Sequence, residues 1–433
     1  MLKEVLSLFE QSPSRTVFIK NSSEISAKQF ITDINSLANL WGNSLLNKQK
    51  IALAIDDVYF FCCAWIACNF LGKTTVMPPN NQQGTLNKLK TEYDIIIFDD
   101  DISFNTRSTK RFSIKNTDSI FFTSGSTREY KKYIKNTINL EKESFVLNKK
   151  INEFGLRKAQ VYSTVSHQHL YGFSFFIIYP LLNKKIIHTT KLFIPENINR
   201  KLALDNVILI TTPLIISHLR TRVDNIKNSL LISAASELKR DNASEFNEHY
   251  NIPILEIYGS TETGVIAYRQ QLINSNWNAF KGVDILIRDN LLIVKSPFFK
   301  DPEQAMQDVV EIHPNNSFTL KGRIDRTVKI AGKRVSLSHM EEILIENPLI
   351  RDAACIKRES YREYIAVLVC LSENRKSILS HIQKQELVSK FKNYLKKYFS
   401  IETIPKQWRF INNIPTNTQG KHSLSVILKE FEA

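Results

Sequence analysis

Apolar positions along most of the chain fall into two alternating patterns. Short, nearly unbroken runs at 15–20, 51–55, 75–77, 93–98, 120–122, 161–164, 207–210, 230–232 and 254–257 are too short for helices and read as buried strands. Between several of them the spacing turns helical. In 26–41, Phe30, Ile31, Ile34, Leu37, Leu40 and Trp41 recur at helical spacing behind a Ser26 cap, and 138–154 has the same periodicity. An apolar stretch over 59–71 reads as a helix ended by Gly72, and a polar helical stretch covers 81–92. This alternation predicts an α/β fold, a large domain of mixed, mostly parallel sheets with flanking helices. Ligands in such sheets sit beyond the carboxyl ends of the strands, so the loops after these runs are where chemistry is expected.

Beyond 325 the pattern changes to a helix at 337–346, strands at 353–357 and 365–371, and a helix at 385–398. That reads as a separate small α+β domain, giving 1–324 and 325–433. In the last helix Leu387, Phe391 and Leu395 share one face, while Lys390, Lys392, Lys396 and Lys397 lie elsewhere.

Composition narrows the classes. With 433 residues, 43% of them hydrophobic, the chain can bury a large core. Its net charge of +15 suits acidic partners, though no aromatic-basic interleaving supports nucleic acid. Cys62, Cys63 and Cys68 sit among aromatic and small apolar residues without CxxC spacing, which predicts core packing and a reducing compartment. The start lacks an uninterrupted apolar segment and 59–71 is too short to cross a bilayer, so a cytoplasmic location is expected.

Three loops carry candidate chemistry. The run 120–122 empties into Thr123, Ser124, Gly125, Ser126 and Thr127, followed by Arg128, Lys131 and Lys132. Hydroxyls, a glycine that permits close approach and nearby cations make a phosphate cradle, or an ordinary polar surface loop; the order is not that of a P-loop. After 161–164 comes Ser166-His167-Gln168-His169-Leu170-Tyr171-Gly172, whose two histidines lack further zinc ligands nearby and read as a pocket wall. After 254–257 comes Tyr258-Gly259-Ser260-Thr261-Glu262-Thr263-Gly264. A carboxylate near a phosphate loop is repelled unless a cation lies between, so Glu262 suggests Mg2+.

In this order and spacing, the loops at 123–131 and 258–264 resemble those of the acyl-adenylate-forming superfamily. Gln307-Asp308 resembles its ribose motif, 322–335 leading to Glu341 its hinge motif, and Pro415 through Gly420-Lys421 its catalytic-lysine loop. The resemblance covers nearly the whole chain. It implies that Thr123, Ser124, Gly125, Ser126, Thr127 and Lys131 hold the β- and γ-phosphates of ATP. Tyr258 would stack on adenine, Thr261 would contact the α-phosphate or the substrate carboxylate, Glu262 would ligate Mg2+, and Asp308 and Arg323 would hold the ribose. His169, Ser233, Ala234, Ala235 and Ser236 would line the acyl and adenine pockets, Asp325 would be the pivot of a mobile C-terminal domain, and Lys421 would bridge carboxylate and α-phosphate.

The chain departs from the family at Arg128 and Tyr130, where glycine and proline are usual, at Ala234-Ala235 in place of a glycine pair, and at Met306 in place of threonine. Its compactness, with SHQHLYG and QGK, resembles small carboxylate ligases of aryl-polyene and polyketide-like fatty-acid pathways. The function so implied is an ATP-dependent ligase joining an aromatic or short acid to the phosphopantetheine thiol of CoA or an acidic acyl carrier protein. The alternative is a degenerate relative that binds nucleotide or carrier without catalysis. The basic helix at 385–398 is then either a solvated face or a carrier-docking surface.

Overall fold

The computed structural model describes residues 1–104, 112–124, 130–288, 291–299, 303–323, 326–330, 333–359, 363–372, 381–415 and 424–431. The chain divides into two compact units, Met1–Asp284 with Val294–Gln304, and Ile285–Ile293 with Ala305–Ala433.

Two sheets build the first unit from strands β1 (Thr16–Lys20), β2 (Ser23–Ser26), β3 (Lys50–Ala54), β4 (Thr74–Met77), β5 (Ile95–Phe98), β6 (Asp118–Ser124), β7 (Tyr130–Asn136), β8 (Gln160–Ser163), β9 (Ile187–His188), β10 (Val207–Thr211), β11 (Leu230–Ser233), β12 (Ile254–Ser260), β13 (Gly264–Gln270) and β14 (Asn274–Ala279). One sheet runs β5-β3-β4-β6-β7 and is parallel until β7 folds back antiparallel on β6. In the other, the order β12-β11-β10-β8-β9-β1 is parallel, and β13, β14 and β2 join antiparallel. The fully buried β10 and β11 explain why these runs are apolar without alternation. This is the mixed, mostly parallel α/β architecture that the apolar runs predict. Strand order reverses at β8, with β9 on one side and β10 on the other, so the segment leaving β8 emerges at a topological switch point.

Helix ends follow local chemistry. The Ser26 hydroxyl accepts from the Gln29 amide at 3.2 Å and starts α1 (Ala27–Ser44). Asp57 accepts from the Phe60 amide at 2.9 Å and starts α2 (Val58–Leu71), which Gly72 closes at φ +73°. Nearly every α2 side chain is buried, including Cys62, Cys63 and Cys68. Burial pushes the Cys68 thiol up to about 12, which keeps it an inert packing group. Asn136 caps α3 (Thr137–Asn152) through the Asn139 amide at 2.8 Å.

In the second unit, β15 (Asp308–His313) and β16 (Ser317–Arg323) form an antiparallel hairpin, as do β17 (Thr327–Ile330) and β18 (Lys333–Ser336). Helix α4 (Leu337–Ile345) follows, capped by Ser336. Strands β19 (Ile350–Glu359) and β20 (Glu363–Leu371) pair antiparallel, and β21 (Gln407–Phe410) adds parallel to β20. Period-2 alternation buries both faces of this sheet. Cys355, Val367 and Val369 pack with Met340, Leu344 and with Leu387, Phe391 and Leu395 of α5 (His381–Leu395), while Ala354, Leu368 and Cys370 pack with Ile427 and Phe431. Each of the three α5 anchors contributes about 1.5–3 kcal/mol by burial. Among the described residues, no helix is long and apolar enough to cross a membrane.

Candidate active site

The segment after β8 clamps the two sheets of the first unit together at the carboxyl ends of their strands. The imidazole Nε2 of His167 lies 2.9 Å from the Ile55 carbonyl, just past β3, and the Gln168 side-chain amide donates to Leu53 O at 3.3 Å and Asn81 Oδ1 at 2.8 Å. On the other side, the Tyr171 hydroxyl reaches Thr211 O at 2.9 Å and Ile232 O at 2.7 Å, bridging the ends of β10 and β11. A Cβ on Gly172 would lie 2.0 Å from the Ser166 carbonyl oxygen, so only glycine fits this tight return. Chain 170–182 then continues as a helix whose centre, Phe173–Ile178, is a π-helix. His169, at the switch point, is half-buried; desolvation and then the Lys191 charge push its imidazole down, so the wall it forms is neutral near pH 7.

On the neighbouring strand end, Ser233 is 2% exposed and its hydroxyl has no hydrogen-bond partner among the described residues. Ala234 is buried, and Ala235 sits at φ +81°. A left-handed alanine costs about 1–2 kcal/mol, a conformation glycine would take freely. The Ala-Ala pair therefore keeps a turn shaped for glycine. Ser236 is half-buried.

The turn Tyr258–Gly264 joins β12 to β13, and its glycines are both fixed by sterics. A Cβ on Gly259 would lie 2.1 Å from the Gly264 carbonyl oxygen; Gly264 itself has φ +67°, and a Cβ there would lie 2.2 Å from Glu143 Oε2. Inside the turn, the buried Thr263 hydroxyl meets the Ser260 amide at 3.1 Å and Ser260 Oγ at 3.0 Å, closing a loop that presents Thr261 and Glu262, both half-buried. A register shift between Tyr258 and Gly259 marks a bulge just after the Tyr258–Ala267 pair.

Beneath the turn lie two charges that the sequence did not single out. Lys135 on β7 and Glu143 on α3 are 3% and 2% exposed. The Lys135 ammonium donates to the Glu262 carbonyl oxygen at 3.4 Å, and both side chains converge on Gly264. Burial pushes Lys135 down, opposed by Glu143 and Glu262; burial pushes Glu143 up, opposed chiefly by Lys135. The strand that leaves the hydroxyl-rich loop is thereby joined to the turn that carries Glu262. One signal was available: Glu143 falls on the same helix face as Leu140, Leu147 and Ile151.

The hydroxyl-rich loop itself is only partly described. Thr123 and Ser124 end β6, opposite Lys131 and Tyr130 of β7, and Lys131 is exposed. The Tyr130 ring packs edge-on against Phe122 at 6.4 Å, anchoring the strand where the family has proline. Gly125, Ser126 and Thr127, Asp325, which the resemblance implies is a pivot, and Lys421 lie outside the described residues. Within the second unit, Asp308 and Arg323 face each other across β15 and β16, with Arg323 Nη1 at 3.5 Å from Asp308 Oδ2. Asp308 is buried and Arg323 is exposed. Glu341 accepts from Arg326 and, at 2.5 Å, from the Cys355 amide, which ties α4 to both.

A metal held by protein alone finds no support, since no group of three or more His, Cys, Asp or Glu is placed to hold one among the described residues. A lone carboxylate such as Glu262 nevertheless suits Mg2+, which keeps waters and substrate phosphates as its other ligands.

No protein-family model matches the chain. The acetyl-coenzyme A synthetase of Cupriavidus pinatubonensis is 30% identical over 106 residues, 24% of this chain, and the match spans only 16% of that protein. The 4-coumarate–CoA ligase of Cereibacter sphaeroides is 26% identical over 182 residues, 39% of this chain and 36% of the ligase. Among solved structures, ATP-bound MatB from Rhodopseudomonas palustris superposes with a TM-score of 0.80 at 16% identity, covering 100% of this chain and 99% of MatB. The o-succinylbenzoate CoA synthetase MenE from Bacillus subtilis gives 0.80 at 14% identity, covering 96% of each chain. At such identities these structures share the fold of this chain. The sequence matches are to CoA-ligating enzymes, and each covers less than half of this chain.

Proposed function

We propose that this chain activates a carboxylic acid with ATP and passes the acyl group to a phosphopantetheine thiol, on CoA or on an acyl carrier protein. The observation that carries this reading is the sterically fixed turn Tyr258–Gly264, joined through Lys135 to the strand leaving the hydroxyl-rich loop. In the first step a carboxylate oxygen attacks the α-phosphorus and the bond to pyrophosphate breaks. Both reactants are anionic, so positioned donors and cations are what lower the barrier. Thr123, Ser124, Gly125, Ser126, Thr127 and Lys131 would bind the outer phosphates, Thr261 would orient the α-phosphate or carboxylate, and Lys421 would bridge the two. Bound at Glu262, Mg2+ would offset phosphate charge. Asp308 and Arg323 would hold the ribose.

In the second step the thiolate sulfur attacks the acyl carbonyl and AMP leaves. The segment 325–433, turning at Asp325, would withdraw Lys421 and admit the pantetheine arm. The neutral wall around His169, with Ser233, Ala234, Ala235 and Ser236, suits an aromatic or short acyl group. The buried anchors of α5 leave Lys390 on the helix and Lys396 just beyond it exposed, which suits docking of an acidic carrier protein.

Hydroxylamine trapping over a panel of aromatic and short aliphatic acids tests this. Acid-dependent hydroxamate with one acid class is expected, and CoA and a carrier protein competing for the intermediate would then identify the acceptor. Silence across the panel would favour the degenerate reading.

A further inference from the structure

Behind Tyr258 lies a layered arrangement that the adenine-stacking role does not require. The Trp277 indole of β14 sits 5.5 Å from the Tyr258 ring, inclined by 50°. On Trp277 rests the Arg269 guanidinium of β13, 4.4 Å from the ring centre. Arg269 is in turn gripped by Glu256 of β12, with Nε and Nη2 at 3.0 and 2.9 Å from the two carboxylate oxygens. Glu256 and Arg269 are both buried. Trp277 is 5% exposed, and its Nε1 has no hydrogen-bond partner among the described residues.

This arrangement is costly. A dry, unpartnered indole N–H costs about 1–3 kcal/mol, and a buried ion pair barely repays its desolvation. A phenylalanine or leucine would fill the same space without the orphaned donor. What the tryptophan adds is a broad rigid plate that holds a cation–π contact with Arg269 and lies 5.5 Å from the Tyr258 ring. Tyr258 is the last ladder residue before the register shift, paired with Ala267, and the Trp277 plate 5.5 Å away limits the tilt its ring can take.

We infer that Trp277 is a positioning residue for purine-nucleotide binding, holding Tyr258 at the tilt its base requires, with Glu256 and Arg269 locking Trp277 from behind. This rests on the ATP-dependent reading above. The test uses the full-length protein with Trp277→Leu and Trp277→Phe, read by ATP titration calorimetry and by hydroxamate kinetics at saturating acid. For Trp277→Leu, the Kd and KM for ATP are expected to rise about tenfold, with kcat within twofold and the KM for the acid unchanged. A lower Tm or a lower kcat at unchanged ATP affinity would mean plain packing and overturn the inference, as would unchanged affinity in both variants. Emission gives a second readout: ATP should alter tryptophan fluorescence of the wild type, and that change should vanish in Trp277→Phe. Persistence of the change overturns the inference even if the leucine variant fails to fold. A wild-type protein that binds no ATP sinks the functional reading itself, whereas normal wild-type activity with indifferent Trp277 variants sinks this inference alone.

Discussion

Lys421→Ala is expected to slow acyl-adenylate formation by roughly a hundredfold or more while leaving thiolation of a supplied acyl-adenylate intact. In the first step negative charge grows between carboxylate and α-phosphate, and removing one preorganised partner for such charge costs ~3 kcal/mol of barrier. The second step forms a thioester at a carbonyl that is already activated, and needs no cation at that position. Pyrophosphate release measures the first half and thioester formation from synthetic acyl-adenylate the second. Equal loss of both would contradict a lysine that serves only one of two arrangements of the 325–433 segment.

Lys135→Met should be the most damaging single change within the described part of the site. It leaves the Glu143 carboxylate buried without its ammonium, and breaking a buried pair in this way costs about 3–5 kcal/mol. For a unit of this size that lowers Tm by on the order of 5 °C. The pH dependence has a definite sign. Burial already raises Glu143, and without Lys135 it rises further, so the folded chain holds a proton that the unfolded chain has released. Stability of Lys135→Met should therefore fall as pH rises from the ordinary carboxylate range to the raised folded value, more steeply than in the wild type. Adding Glu143→Gln should remove the extra slope. Melting curves at several pH values check this, and equal slopes in wild type and variant would show that the two charges are uncoupled.

The parallel part of the fold was legible because β10, β11, nearly all of β3 and the centres of β6 and β12 are buried on both faces and read as largely apolar runs. The cysteine helix was legible for the same reason. What escaped notice lies where tertiary contact overrides local pattern. In β7, a lysine-rich YKKYIKN reads as a solvated strand, and only the pairing with α3 and the Tyr258–Gly264 turn buries Lys135 while Lys131 and Lys132 stay exposed. Likewise Glu256, Arg269 and Trp277 come together across three antiparallel strands, and a register of that kind leaves no trace in spacing along one strand. The turns at 166–172 and 258–264 were recognisable from composition. The reason for their glycines, backbone carbonyl oxygens at Gly172 and Gly259 and the Glu143 carboxylate at Gly264 about 2 Å from any added Cβ, needed the folded structure.

The proposed first step is formation of a mixed anhydride between a carboxylate and AMP. Acid-dependent exchange of labelled pyrophosphate into ATP reports that step alone, without any thiol acceptor. The account predicts exchange with at least one aromatic or short aliphatic acid and none when the acid is omitted. A folded protein that binds ATP yet catalyses no exchange with any acid would contradict it.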